Sequence, residues 1–241
     1  MIQFRLLGIP VRIEPMFWLV TFFLGGGLSL GAGTTKTDII WVLMWMVIAC
    51  VSILVHEYGH ALTARKLSGG QHEIRLWGMG GLAYHQGGNP TRKSRLWTIA
   101  MGPGAGLALF LLTSLAVIST YGPEVLQYLV TRRVPTELSE SFLSVVTTQP
   151  PLFRIFSMLI WINLWWSLIN LLPVFPLDGG QLFSTWTGKT LLAYKIGVGV
   201  GSAVALFSLL RGELYIGVLF GFLAYQNYKN LQNFQGSNGW R

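Results

Sequence analysis

The sequence predicts an all-α protein that crosses a membrane about six times, and its composition and apolar runs point to this class. The chain has 241 residues, of which 52% are hydrophobic and 11% are charged, whereas an ordinary soluble domain has about 25% charged residues. Apolar runs with few charges recur along the chain, and a helix needs roughly 20 mostly apolar residues to cross a bilayer. The only extended structure expected is a small β-hairpin and one short strand.

Six runs are candidates for transmembrane helices. The second contains a single formally charged residue, Glu57, and the third contains none. The sixth is the shortest of the six and ends in polar residues. The predicted spans are Met16–Gly33, Ile39–Ala64, Leu96–Tyr121, Leu152–Leu177, Leu191–Leu210 and Leu214–Tyr228.

The segments outside the spans are short. Between the second and third spans, the runs Ile74–Trp77 and Leu82–Tyr84 flank a glycine-rich stretch and predict a hairpin near the cytoplasmic face. Before the first span, the alternating stretch Gly8–Ile13 predicts a short strand. No segment is long enough for a separate soluble domain, so residues 1–241 are expected to form one membrane-embedded domain.

The basic residues are distributed unequally between the two sides of the predicted membrane. Of the 17 Lys and Arg residues, all but five lie on the side that holds both termini and the loop between spans two and three. Because cytoplasmic loops carry the excess of Lys and Arg, we expect both termini in the cytoplasm of a prokaryotic cell. The net charge of +8 is thus explained by basic residues that face anionic lipid of the bilayer, and no nucleic-acid partner is expected. The five exceptions are Lys36, Arg132, Arg133, Arg154 and Arg211.

The second span contains the motif His56-Glu57-Tyr58-Gly59-His60. Residues i and i+4 lie on one face of a helix, so both imidazoles can bind one Zn²⁺. Glu57 is next to the first histidine, where its carboxylate can hold a water on the metal and accept its proton. Since a charged residue inside a span costs on the order of 3 kcal/mol, ordinary packing does not account for Glu57.

The end of the fourth span offers the third protein ligand that such a site needs. Pro173 and Pro176 break the helix and Gly179-Gly180 permits a sharp turn, which leaves Asp178 at a break in the backbone. Spans two and four run in the same direction, so Asp178 and the two histidines are expected at similar depth near the cytoplasmic face. The alternative is an interfacial Asp178 that caps the following helix.

Two asparagines in the fourth span, Asn163 and Asn170, are seven residues apart and lie near one face of it. Asn170 can donate a hydrogen bond to a substrate backbone or to an oxyanion, or it can bond to a neighbouring helix. For Asn163 we expect the interhelical hydrogen bond that membrane proteins commonly use.

Taken together, these segments resemble the site-2 protease family of intramembrane zinc metalloproteases, in a minimal form for which neither a PDZ nor a CBS domain is expected. The resemblance implies a three-helix catalytic core made of spans two to four, and a transmembrane protein substrate cut within or near the bilayer. It also implies one Zn²⁺ per chain bound by His56, His60 and Asp178, with Glu57 as general base. The matching pieces are His56–His60, the Asn170–Gly180 stretch with the pattern N-x-x-P-x-x-P-L-D-G-G, the pair Gly80-Gly81 and, more weakly, Gly8–Val11 and Gly102-Pro103.

Two functions of other classes stay open at this point. A metal-binding membrane transporter could use the same ligands, but it is expected to show repeat symmetry and a second polar span, which spans one, five and six do not offer. A protease-like scaffold that binds membrane partners without cutting is expected to have lost the base or a ligand, whereas all four residues are present. The oligomeric state is left open.

Overall fold

The structure is a computed structural model that describes residues 1–31, 33–78, 80–134 and 139–238. Most of these residues are helical, and one sheet accompanies the helices. The strands are β1 (Ile2–Leu6), β2 (Ile9–Ile13), β3 (Gln71–Trp77) and β4 (Gly80–Gln86). The helices are α1 (Pro15–Leu24), α2 (Lys36–Ser68), α3 (Arg92–Tyr121), α4 (Pro123–Thr131), α5 (Glu140–Thr148), α6 (Pro151–Asn170), α7 (Asp178–Thr187), α8 (Thr190–Leu210) and α9 (Leu214–Asn238).

Four of the described helices, α2, α3, α6 and α8, are long and apolar enough to cross a membrane. They overlap the second to fifth predicted spans. The helix α9 begins where the sixth predicted span begins and continues to Asn238. Because α9 is not one of the four, the count of six spans stays a prediction.

The first predicted span, over residues 16–33, is not one continuous helix, because α1 ends at Leu24; that the segment crosses the membrane stays a prediction. α1 has 10 residues and is about 15 Å long at 1.5 Å per residue, roughly half the hydrocarbon thickness of a bilayer. It ends at Gly25, where a Cβ would overlap the indole of Trp45. The next residue, Gly26, has a φ of 89°, which an L side chain rarely adopts. Close packing on α2 and a left-handed backbone therefore end this helix early.

The sheet is larger than the predicted hairpin, so the all-α description needs correction. Its order is β1-β2-β3-β4, with the central β2–β3 pair parallel and the outer pairs antiparallel. The predicted hairpin is β3–β4 and the predicted short strand is β2. The strand β1 was not predicted, although Ile2, Phe4 and Leu6 alternate with polar residues at the period of two that is typical of a strand.

The sheet is fixed against the second half of α2. Val11, Ile74 and Leu76 are fully buried in one cluster with residues of α2. The hydroxyl of Tyr58 donates to the carbonyl oxygen of Leu6 at 2.9 Å, and the Arg65 guanidinium donates to the next carbonyl at 2.7 Å. Both donors lie on the part of α2 that carries the histidine motif, so the sheet is held beside that motif.

The fourth predicted span, over 152–177, ends earlier than expected, because α6 stops at Asn170. The following segment, Leu171–Leu177, is irregular, and the short helix α7 begins at Asp178. Pro173 and Pro176 cannot donate the backbone bonds that would continue α6. The break expected from the two prolines is thus present, one turn before the first of them.

Candidate metal centre

His56 and His60 lie one turn apart on the uninterrupted backbone of α2. Their Nε2 atoms are 3.2 Å apart, and the two rings meet edge to face with centroids 4.9 Å apart. His56 is buried and His60 is nearly so. Two ring nitrogens of adjacent turns therefore face the same point, as the i, i+4 spacing predicted.

Asp178 joins this pair from the first residue of α7. Its Oδ2 lies 3.1 Å from Nε2 of His56, and its Oδ1 lies 3.3 Å from Nε2 of His60. One ligand atom from each of the three residues lies within 4.8 Å of the others. The fourth-span residue and the two second-span residues are thus brought together at one depth. The carboxylate begins a helix, but it also faces the histidines.

The donor set fits a zinc ion. Zinc takes imidazole nitrogen and carboxylate oxygen ligands, and three protein ligands leave one tetrahedral position open. The Oδ2 atom of Asp178 is buried beside Nε2 of His56 at 3.1 Å. When that nitrogen carries a lone pair, as a metal ligand must, the oxygen has no hydrogen-bond donor among the described residues. A buried carboxylate oxygen without a donor costs free energy, and a bound cation would offset that cost. The residues present therefore suit the metal that their chemistry suggests.

The tautomer of His60 is set by α3. Its Nδ1 lies 2.8 Å from the carbonyl oxygen of Thr98. Because a carbonyl oxygen only accepts, Nδ1 carries the proton and Nε2 keeps its lone pair for a metal. The backbone of Thr98 has no sequence signal that would have identified it, since the contact depends only on how α3 packs on α2.

Glu57 is 4% exposed and lies against β4. A Cβ at Gly81 would overlap its carboxylate, and a Cβ at Gly80 would lie 2.7 Å from the indole of Trp166. Gly80 and Gly81, which the sequence analysis linked to the family by resemblance alone, are thus required by close packing. Gly81 lets the strand pass directly over the Glu57 side chain, and Gly80 lets it pass over the indole of Trp166.

Glycines also let the helices approach closely around the histidines. A Cβ at Gly59 would overlap the carbonyl oxygen of Met101, and a Cβ at Gly102 would overlap the imidazole of His60. Only a residue without a side chain fits at these two positions of α2 and α3. The second of them belongs to the weaker sequence match, Gly102-Pro103.

The turn into α7 depends on the glycine pair after Asp178. A Cβ at Gly179 would overlap the carbonyl oxygen of Leu171, and a Cβ at Gly180 would lie 2.7 Å from the backbone nitrogen of Phe175. The first turn of α7 therefore packs directly on the irregular segment after α6. This packing is what turns the Asp178 carboxylate back toward α2.

The two asparagines of α6 differ. The amide of Asn163 donates to the Ser52 hydroxyl at 3.0 Å, so the expected interhelical hydrogen bond is present. The amide of Asn170 donates to the carbonyl of Trp166 in its own helix at 2.9 Å. No described contact joins Asn170 to the His56–His60–Asp178 group, and its role stays a prediction.

Comparison with known proteins identifies the class to which this fold and site belong. The model of Peptidase family M50 matches residues 44–208, so the chain belongs to that family. The chain also superposes on the solved structure of a Site-2 Protease from Methanocaldococcus jannaschii. The TM-score is 0.58 at 23% sequence identity, covering 95% of this chain and 94% of that one. The fold is thus that of a site-2 protease, and the protein is an integral membrane protein.

Curated relatives match at similar sequence identity and are longer than this chain. A zinc metalloprotease of Methanocaldococcus jannaschii is 24% identical over 219 residues, which are 90% of this chain and 55% of that protein. A Synechocystis protein named as a candidate zinc metalloprotease is 30% identical over 246 residues, covering 92% of this chain and 57% of that protein. The chain spans about half the length of the curated relatives it matches.

Proposed function

We propose that this chain is an intramembrane zinc metalloprotease that hydrolyses peptide bonds of transmembrane protein substrates within or near the bilayer, as in regulated intramembrane proteolysis. One observation carries the proposal. The ligand atoms of His56, His60 and Asp178 lie within 4.8 Å of one another, and the buried carboxylate of Glu57 adjoins the first of them in the chain. Membership of family M50 and the names of the relatives support the same reaction.

His56, His60 and Asp178 are the proposed ligands of one Zn²⁺ per chain. Zinc bound there supplies a Lewis acid that polarises the scissile carbonyl and lowers the pKa of a water molecule. Glu57 is the proposed general base, which takes a proton from the attacking water and returns it to the leaving nitrogen. Thr98 holds the proton of His60 on Nδ1, away from the metal side of the ring. Asn170 is the proposed donor to the substrate backbone or oxyanion.

The outer edge of β4 is the proposed binding surface for the substrate backbone. A helical substrate hides its scissile carbonyl in intrahelical hydrogen bonds, so it must unwind before attack. Among the described strands β4 pairs only with β3, at the edge of the sheet, and Gly81 lies against the proposed base. An unwound segment that pairs with this edge adds one strand to the sheet and passes close to Glu57.

The membrane arrangement is proposed on the basis of charge and helix length. Residues 1–241 form one membrane-embedded peptidase domain with about six spans. Its catalytic core is made of α2, α3 and α6, which contact one another. Both termini face the cytoplasm, so a reporter fused after Arg241 reads as cytoplasmic. One inserted at Thr136, which lies outside the described residues, reads as external. The opposite readings would reverse the orientation.

The deciding experiment uses the full chain purified in detergent. Zinc content is measured together with cleavage of a model single-span substrate, before and after removal of the metal by a chelator. We expect one zinc per chain, and cleavage that is lost with the metal and restored by zinc. In sealed vesicles, zinc uptake without cleavage would instead identify a transporter. Zinc binding with neither activity would identify a scaffold.

A further inference from the structure

The last helix makes an unusual contact with the segment that carries Asp178. Asn227 of α9 is fully buried, and its side chain bonds to both backbone groups of Phe175. Its Oδ1 accepts from the Phe175 N–H at 3.3 Å, and its Nδ2 donates to the Phe175 carbonyl at 2.7 Å. The other N–H of Nδ2 donates to the carbonyl oxygen of Leu223, within α9, at 2.8 Å. The carboxamide thus exchanges both bonds with one residue, as a neighbouring strand does.

Phe175 is in the irregular segment that places Asp178 three residues later. Without Asn227 its N–H and carbonyl would lose these partners in apolar surroundings, at a cost in free energy. The segment is held by α8 and α9 in other ways too. Val174 is fully buried in a cluster with Phe220, and the Phe175 ring packs on Tyr194 with centroids 5.0 Å apart.

A second residue makes room for this contact. Gly197 lies on α8, and a Cβ at its position would overlap the Oδ1 atom of Asn227. Two helices therefore contribute to one arrangement, the glycine through its missing side chain and the asparagine through its amide. Asn227 also lies beyond residues 44–208, the part that matches the family model. The family match therefore says nothing about this contact.

From this geometry we infer that Asn227 is a positioning residue for the Asp178 ligand. It acts through the backbone of Phe175 and does not touch the metal or the substrate. The inference rests on the proposed zinc site. Its consequence is that zinc affinity depends on a helix that contributes no ligand, because α9 determines where the segment before Asp178 lies. Outer partners of a metal site typically change metal affinity 10- to 100-fold, and we expect about 10-fold here.

Two variants test the contact from opposite sides. Asn227→Leu keeps a similar volume but leaves both Phe175 backbone groups unpaired. Gly197→Ala keeps every polar group and displaces the Asn227 amide. The control is Trp161→Phe, which removes the hydrogen bond from Trp161 Nε1 to the Leu129 carbonyl at 2.9 Å. That bond also joins a side chain to the backbone of another element, and it involves neither α8, α9 nor the segment before Asp178.

The measurement is zinc affinity of each full-length purified variant, by competition with a chelator. Thermal unfolding of the zinc-free form is measured alongside, to separate affinity from stability. We expect Asn227→Leu and Gly197→Ala to weaken zinc binding about 10-fold, and Trp161→Phe to leave it unchanged. If Asn227→Leu does not fold, the zinc affinity of Gly197→Ala alone decides whether the inference holds. Wild-type affinity in both variants, or an equal loss in the control, overturns the inference.

Asp178→Ala separates this inference from the proposed function. If Asp178→Ala binds zinc as tightly as wild type, the proposed site itself is wrong. If that variant loses zinc while Asn227→Leu and Gly197→Ala retain full affinity, the site stands and only the positioning role of Asn227 fails.

Discussion

Two regions supply the three proposed metal ligands, and they are built in different ways. α2 is one helix of 33 residues, and its continuous backbone bonds set the distance between His56 and His60. Asp178 follows a broken segment whose position depends on contacts with other elements. The histidine pair is thus a local structure, whereas the third proposed ligand is placed by packing. Substitutions around the two regions should therefore have different effects.

The largest effect is expected at Asp178 itself. Asp178→Ala leaves two imidazoles from one helix, which cannot complete the site, so zinc affinity should fall more than about 100-fold, beyond the range for outer partners. Cleavage should be lost with the metal. Asp178→Glu keeps a carboxylate with altered reach and should retain part of the zinc. Metal analysis after dialysis against a chelator measures both, with Asp38→Ala as a control acid at the start of α2. A full equivalent of tightly bound zinc in Asp178→Ala would contradict the assignment.

A loss of turnover without loss of metal is expected at Glu57. Glu57→Gln removes the proposed base but none of the three proposed ligands, so zinc content should stay at the wild-type level. Turnover should fall about 10²- to 10⁴-fold, the range typical of a lost acid–base group. The matched control is Glu73→Gln in β3, whose carboxylate pairs with Arg12 at 2.9 Å. Wild-type turnover by purified Glu57→Gln on a membrane substrate would rule out Glu57 as the base.

A smaller effect is expected from the packing of α3 on α2. Gly102→Ala forces a methyl group onto the His60 imidazole, whereas Gly104→Ala places one 3.7 Å from the Met101 sulfur, at ordinary contact distance. Overpacking typically costs about 1–3 kcal/mol, so the free energy of unfolding should fall in the first variant and hardly change in the second. Zinc affinity should also fall in Gly102→Ala, because the displaced imidazole belongs to a proposed ligand. Equal behaviour of the two variants would show that the helix–helix contact does not constrain His60.

The smallest perturbation is expected from cysteine probes on the outer edge of β4, which test substrate pairing by cross-linking. With Cys50→Ala as background, cysteines at the exposed positions Leu82 and Tyr84 should form disulfides with single cysteines placed along a substrate. Side chains on one face of a strand repeat every two residues, so the reactive substrate positions should shift by two between the two variants. Leu67→Cys, exposed at the end of α2, is the control. Equal cross-linking from Leu67 would argue against strand pairing at β4.

The sheet illustrates why part of the fold was not predictable from the sequence. The β3–β4 hairpin was expected because its two runs are adjacent and separated by glycines. The pairing of β2 with β3 joins Val11 to Ile74, and no local pattern relates residues so far apart in the chain. The strand β1 does have a local signal, the alternation of Ile2, Phe4 and Leu6 with polar residues. The early end of α1, by contrast, depends on the close approach of Gly25 to Trp45, which local sequence does not encode.

The sequence by itself determined the apolar helices α2, α3, α6 and α8, the shared face of His56 and His60, and the break before Asp178. These features follow from composition, from the 3.6-residue period of a helix and from proline chemistry, all of which act over a few residues. Only the tertiary structure decided that the Thr98 carbonyl faces His60, that Gly81 lies on Glu57 and that Asn227 holds the segment before Asp178. Those contacts join residues distant in the chain, and their positions are set by how helices and strands pack together.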